Sequence, residues 1–383
     1  MTLVTRCLLA AVVVSLGLFA LAAEPGASTP EAPKPPITTA EKPVIQLALL
    51  LDNSGSMQGL IDQARSQLWT VVNHLARTKK GGQTPRLEVA LYSYGDVPRQ
   101  LLAFTDDLDA VSEKLFAIGI SGGEEYCGQV IQMALSEQKW SSDPSVYKTI
   151  FIAGNEPFTQ GPVDYRSPCE AAASRGIVVN TIHCGSEAEG DAGKWADGAR
   201  IGGGKYLCIN SNKAIVAITA PQDAEIAALS TKLNDTYVPF GVNGAGYAQR
   251  QVQQDAAAAT APAAAQAGAP MLRAQSKASS LYRNANWDLV DAAVNEKTVK
   301  LEDLKEADLP ENMRGMTPEQ RRAHVEAQAK ARTDIQAKIK SLGAEREKFI
   351  AEKRRESTAT GENTLDSAIL GAVGEQLKAK DFE

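Results

Sequence analysis

A chain of 383 residues is long enough for two or three ordinary domains, and 44% hydrophobic residues supply a sizeable core. Its 40 Lys and Arg against 46 Asp and Glu leave a net charge of −6, so there is no basic excess to neutralise a phosphate backbone and nucleic acid is not an expected partner. Three histidines (His74, His183, His324) and five widely spaced cysteines exclude zinc fingers, C-x-x-C redox motifs and the H-E-x-x-H protease pattern.

The first 23 residues join one positive charge at Arg6 to an apolar run, Cys7 to Ala23, with a small-x-small site at Ala20-Leu21-Ala22. This pattern reads as a secretory signal peptide; the other reading is an uncleaved anchor, since the run is short for a bilayer span. Both place the remainder outside the cytoplasm, periplasmic or secreted, with membrane contact only through an uncleaved segment. Loss of Cys7 leaves Cys127, Cys169, Cys184 and Cys208, which in an oxidising compartment are expected either as two disulfides or as small buried hydrophobes.

Residues 24–43 are rich in Pro, Ala and Thr and read as an extended tether. From Val44 onward, β-type apolar runs alternate with helical patterns. Strands are predicted at Val44 to Leu51, Leu87 to Tyr94, Gln100 to Phe104, Thr149 to Ala153, Ile177 to His183 and Lys205 to Ile209. Helices are predicted at Leu60 to Ala76, Leu108 to Ile118, Gly128 to Glu137, Pro168 to Arg175 and Asp223 to Tyr237. Such alternation implies an α/β fold, a doubly wound and mostly parallel sheet with helices on both faces, over 44–240. The Ala-rich stretch 250–270, with Pro262 and Pro270, is expected to be a linker to a charged helical region, 271–383. Within that region Thr317-Pro318-Glu319-Gln320 opens a long helix to about Arg355 with a capping box. Ile335, Leu342 and Phe349 recur every seven residues, which fits either a coiled coil or a helix folding back on 281–294 or on the first domain.

The most informative segment is Leu47-Ala48-Leu49-Leu50-Leu51-Asp52-Asn53-Ser54-Gly55-Ser56, a buried-type strand ending in oxygen-bearing side chains at alternate positions. Ligands of open α/β sheets bind at this carboxyl end, and such a loop can curl around a hard cation. The segment resembles the metal-ion-dependent adhesion site of the von Willebrand factor type A domain, whose first loop is D-x-S-x-S. The resemblance covers about 44–220 and implies that Ser54 and Ser56 touch Mg²⁺ (or Mn²⁺ or Ca²⁺) while Asp52 holds a water. The family's second loop offers a Thr after Gly-Gly; here Gly122-Gly123-Glu124-Glu125 puts Glu125 at that position. The third loop ends its strand in Thr-Asp-Gly; here Ala153-Gly154-Asn155 puts Gly154 or Asn155 where the Asp stands. A carboxylate lost from the third loop and regained as Glu125 would keep the charge around the ion similar; otherwise Glu124 and Glu125 face solvent and the site is degenerate. The candidate metal residues are therefore Asp52, Ser54, Ser56, Glu125 and Asn155. The resemblance extends to exported bacterial proteins with an Ala-rich segment and a charged helical tail behind such a domain.

Enzymatic motifs are missing. Gly193-Lys194 and Gly204-Lys205 lack the first glycine and the Ser/Thr of a phosphate loop, Ser54 stands where an aspartyl phosphatase needs its acid, and there is no G-x-S-x-G. His183 is expected as a strand-end residue with a satisfied hydrogen bond. The sequence thus predicts an exported, non-enzymatic binding module for a cell-envelope protein or ligand, one able to present a carboxylate to the metal rim; the loop 154–165 reads either as a contact surface or as an ordinary connection held by Gly and Pro turns. The rival readings are a scaffold with a degenerate site working through its helical tail, and a metal-assisted hydrolase with Glu124 or Glu156 as base.

Overall fold

The first strand, β1 (Val44–Asp52), sorts its side chains by parity: Ile45, Leu47 and Leu51 enter one apolar core, and Ala48 and Leu50 the other. A strand buried on both faces belongs in the middle of a sheet, and the computed structural model places it there. The structure describes residues 42–95, 97–213, 217–356 and 364–383, so the signal segment and nearly all of the tether lie outside the described residues. The sheet has the order β3-β2-β1-β4-β5-β6, with β2 (Arg86–Tyr94), β4 (Tyr147–Gly154), β5 (Val178–His183) and β6 (Gly203–Cys208) parallel to β1 and only the edge strand β3 (Arg99–Thr105) antiparallel. The predicted α/β class and every predicted strand are present.

Helix α1 (Gln58–Leu75) lies on one face with α2 (Leu108–Ala117); α3 (Cys127–Glu137) and α4 (Arg166–Ser174) lie on the other. Two short helices, α5 (Glu187–Ala192) and α6 (Trp195–Ile201), fill the crossover from β5 to β6. Beyond β6 the chain departs from the expected linker and separate helical region. Residues 42–383 form one compact unit. The Ala-rich stretch is helical: α8 (Gly244–Thr260), α9 (Pro262–Gln266) and α10 (Ala269–Lys277) follow α7 (Asp223–Asn234). Both prolines sit in first turns, where their missing N–H costs nothing, and Gly268 takes the left-handed φ of 76° that turns the chain between α9 and α10. Alanine has the highest helix propensity, and its small side chain lets these helices approach closely, with Ala258, Ala264, Ala269 and Ala274 all buried.

The long helix α11 (Pro318–Glu356) starts with the predicted capping box: Thr317 N–H donates to Gln320 Oε1 (2.9 Å) and Gln320 N–H to Thr317 Oγ1 (3.3 Å). Its apolar seam folds back within the chain, Leu342 packing with Ile226 and Ala274, so the heptad-like spacing serves the core. Arg332 fastens it, bonding Asp288 (2.6 Å) beneath the ring of Tyr237. The last helix, α12 (Leu365–Lys378), returns to the sheet and packs on α1, β5 and β6. Among the described residues no helix is long and apolar enough to cross a membrane.

The four described cysteines are free thiols. Cys127 and Cys169 lie fully buried in the core beneath α3 and α4, and burial pushes both thiols up, Cys169 to about 12. They are packing groups there, as the second reading of the sequence has it, and the two expected disulfides are not formed.

Candidate functional site

Three loops meet at the carboxyl end of β1 and β4. In the first, Asp52 is fully buried and Ser54 N–H folds back onto its Oδ1 at 2.7 Å, the Asx turn that a short acid two residues upstream favours. Ser54 Oγ lies 3.1 Å from Asp52 Oδ2, 3.2 Å from Glu125 Oε1 and 3.4 Å from Ser56 Oγ. Ser56 is exposed and donates to Asn155 Oδ1 at 3.0 Å. The first loop is tied to the second by Ser121 N–H to Asn53 O (2.7 Å) and Asn53 Nδ2 to Gly119 O (2.9 Å). All five residues singled out from the sequence therefore belong to one hydrogen-bonded cluster.

The second and third loops interlock through Glu125. Its carboxylate is fully buried, while Glu124 is exposed and accepts from the Tyr126 hydroxyl (2.8 Å), so the two acids do not both face solvent. Glu125 Oε2 accepts the backbone N–H groups of Asn155 (3.3 Å) and Glu156 (3.1 Å). Gly154 is the third-loop position that faces this carboxylate. A Cβ there would stand 2.7 Å from Glu125 Oε2 and 2.5 Å from the buried Tyr94 hydroxyl, which itself donates to Ala153 O. A third-loop side chain and the Glu125 carboxylate cannot share that space, which is the steric form of the exchange suggested by the sequence. The clash also predicts that Gly154→Ala destabilises the protein by about 1–3 kcal/mol in urea unfolding, since the neighbours are a packed tyrosine and a hydrogen-bonded acid; a cost below about 0.5 kcal/mol would mean the loop yields freely.

Gln160 was not anticipated. Its Oε1 accepts Glu125 N–H (2.7 Å) and its Nε2 donates to Glu156 Oε2 (3.2 Å), while Trp195 Nε1 holds Glu156 O (2.9 Å). Only its membership of the 154–165 loop pointed to it.

Burial raises the pKa of Glu125 to about 9, with the hydrogen bond and the charge of Asp52 adding to the effect; burial also raises Asp52, against the pull of its bonds to Glu125 and Ser54. The pair holds a proton between its two carboxyls at neutral pH. Folded Glu125 keeps its proton up to about pH 9, whereas an unfolded glutamic acid releases it near 4.5. Its contribution is complete below the unfolded value and is lost as pH rises through the folded one, so stability falls with pH across that window. Glu125→Gln should flatten this slope and raise stability at pH 8 by about 2 kcal/mol when no divalent cation is present. Urea titrations at pH 5 and pH 8 in EDTA measure it; equal slopes for the two proteins would refute it.

The donor set is two carboxylates, two hydroxyls and one amide oxygen, all oxygen, with no nitrogen or sulfur within the cluster. Among the described residues no group of three or more His, Cys, Asp and Glu stands together, so a cation here would depend on serine and water oxygens. That composition fits a hard divalent ion such as Mg²⁺. A cation would take the place of the shared proton.

Residues 47–154 match the sequence model of the von Willebrand factor type A domain. Among solved structures, the chain is similar to the conserved hypothetical protein BatB from Bacteroides thetaiotaomicron (18% identity, 43% of this chain and 90% of that one, TM-score 0.35). It is similar also to proximal thread matrix protein 1 from the mussel byssus with a zinc-occupied MIDAS motif (12% identity, 45% and 43%, TM-score 0.35) and to the SpRpn10 VWA domain (16% identity, 43% and 88%, TM-score 0.34). No curated protein matches. With the fold and the three loops described above, the chain carries a von Willebrand factor type A domain matched over residues 47–154, a domain type that commonly mediates protein–protein interaction.

Proposed function

We propose that this is an exported, non-enzymatic interaction protein whose divalent cation, Mg²⁺ first, is held by Asp52, Ser54, Ser56 and Glu125 with Asn155 at the rim, and that this rim receives a cell-envelope partner. The observation that carries the reading is Glu125 in the third loop's space, within hydrogen-bond reach of Ser54 and joined to Asp52. When bound, the cation supplies a positive centre that draws an acidic group from a partner. The chain's own part is to desolvate the two carboxyls, orient both serines through the Asx turn, and hold Asn155 and Glu156 by their backbone N–H groups. A second carboxylate at the ion partly neutralises it, so partner binding should be weak and reversible.

A hydrolase reading is disfavoured because its candidate bases are engaged elsewhere: Glu124 with Tyr126 and Glu156 with Gln160. The scaffold reading divides from ours on one experiment, calorimetric titration of the full chain with Mg²⁺, Mn²⁺ and Ca²⁺. Saturable binding is expected, at least tenfold weaker in Ser54→Ala and lost in Glu125→Gln. Binding unchanged in Glu125→Gln would remove that residue from the ligand set, and no binding by any of the ions would leave the scaffold.

A further inference from the structure

On its β2 side the first loop borders an open cleft. Asn53, which stands between Asp52 and Ser54, lines this space of about 720 Å³ together with the turn between β2 and β3, the last turn of α2 and the loop 118–122. Five large apolar side chains stand exposed among the described residues, and two of them, Val97 (57%) and Ile120 (37%), line this one cleft. Single exposed apolar side chains are ordinary, but two on one concave surface mark a place of contact.

The polar lining sets the sign of charge that fits. Arg99 of β3 and Lys114 of α2 reach the cleft from two sides; both are exposed, and neither side chain makes an ion pair or hydrogen bond with a described residue. Ser93, paired in register with Arg99, is only 5% exposed, and its hydroxyl has no hydrogen-bond partner among the described residues, which leaves a donor over at the floor. No Asp or Glu lines the cleft among the described residues; Asp96, which follows Gly95, lies outside them. In a chain of net charge −6 this is a local excess of positive charge beside a rim that carries Asp52, Glu124 and Glu125. The two kinds of lining together select the occupant. A small inorganic anion would engage the cations and leave Val97 and Ile120 in water, and a purely apolar ligand would leave both cations unused. A peptide segment that carries carboxylates next to an apolar side chain engages both.

We propose that this cleft receives an acidic segment of a protein partner, whose carboxylates pair with Arg99 and Lys114 while a neighbouring apolar side chain covers Val97 and Ile120. The existence of a protein partner rests on the interaction reading above, whereas the cleft itself needs no cation at Asp52. Asn53 lines the cleft and belongs to the loop that carries Asp52 and Ser54, so the cleft and the cation rim are neighbours. Successive acidic groups of one partner segment would then meet the two basic side chains and the cation.

The test uses the full chain with ¹³C at the isoleucine δ1 methyls, the Ile120 signal being assigned by its loss in Ile120→Val. Titration with the peptide acetyl-Leu-Glu-Glu-amide in EDTA at low salt should shift the Ile120 signal saturably. Acetyl-Leu-Gln-Gln-amide, of the same shape without the charge, should bind at least tenfold more weakly, and acetyl-Gly-Glu-Glu-amide, without the apolar side chain, at least threefold more weakly. Arg99→Gln and Lys114→Gln, both at exposed positions, should each weaken the response at least threefold and together at least tenfold. No saturable shift, an equal response to the glutamine peptide, to the glycine peptide or to sodium sulfate, or an undiminished response in the folded double variant would overturn the proposal. Peptide binding in EDTA together with no Mg²⁺ binding in calorimetry would keep the cleft and reject the cation rim, and Mg²⁺ binding without a peptide shift would do the reverse, so the two failures are distinguishable.

Discussion

A chain ending at Glu356 should lose cooperative unfolding altogether, bind hydrophobic dyes and accumulate in the insoluble fraction. Helix α12 and the residues after it bury Leu365, Ile369, Val373, Leu377 and Phe382 against the α1 face of the sheet. At about 1.5–3 kcal/mol for each large apolar side chain, their removal forfeits about 8–15 kcal/mol, comparable to the whole stability of an ordinary domain. Polar partners are stranded as well. Gln376 Oε1 accepts from the Tyr147 hydroxyl (2.6 Å) and Gln376 Nε2 donates to Asn180 Oδ1 (2.7 Å), and both partners are buried on central strands. Leu365 N–H donates to Gln63 Oε1 (2.9 Å), and Glu383 exchanges two backbone bonds with Lys79 (2.7 and 2.8 Å). Circular dichroism melting of the shortened chain checks this; a cooperative transition within a few degrees of the full chain would show that α12 is peripheral.

That helix also marks where the sequence stopped being legible. The sheet could be read because buried parallel strands announce themselves as short apolar runs, and the Thr317 cap because its bonds are three residues apart. Asp52, Ser54 and Ser56 were legible because one local turn brings them together. What was missed are features made by distant residues. Nothing in 365–378 says that its apolar face covers α1 and the distant strands β5 and β6, and the Ala-rich stretch looked like a linker because its burial comes from close approach to α1, which composition does not encode. Glu125 was found only by its place after Gly122-Gly123; that it fills the space of Gly154 is a property of two loops meeting. His183 was misread because a hydrogen bond was assumed from its position at a strand end, while Gly185 and Gly190 leave its ring without one.

Arg273→Ala should cost about 3–5 kcal/mol in urea unfolding, the scale for stranding one partner of a buried ion pair. Its guanidinium is 1% exposed and bonds Asp109 of α2 (2.7 Å), Asp255 of α8 (2.5 Å) and Gln251 O (3.0 Å) while lying 4.8 Å above the Trp69 ring of α1. The residue thus joins α10 to three other helices, two of them beside the sheet. Its loss leaves Asp109, 3% exposed, with the Tyr282 hydroxyl (2.5 Å) as its remaining side-chain donor, whereas Asp255 keeps Lys277 (2.8 Å) and Asn234 (2.7 Å). The penalty should therefore come mainly from Asp109. Arg273→Met alone should lose most of the same free energy, and adding Asp109→Leu should restore at least half of it, because an apolar pair has no charge to strand and Tyr282 still receives Gln251 Nε2 at 3.0 Å. By contrast Arg200→Ala, which breaks an exposed pair with Asp197, should change stability by less than about 1 kcal/mol. Equal losses for Arg273→Ala and Arg200→Ala, or no recovery in the double variant, would mean that α10 is held by its apolar contacts with α1 and that the buried charges serve only to fix its register.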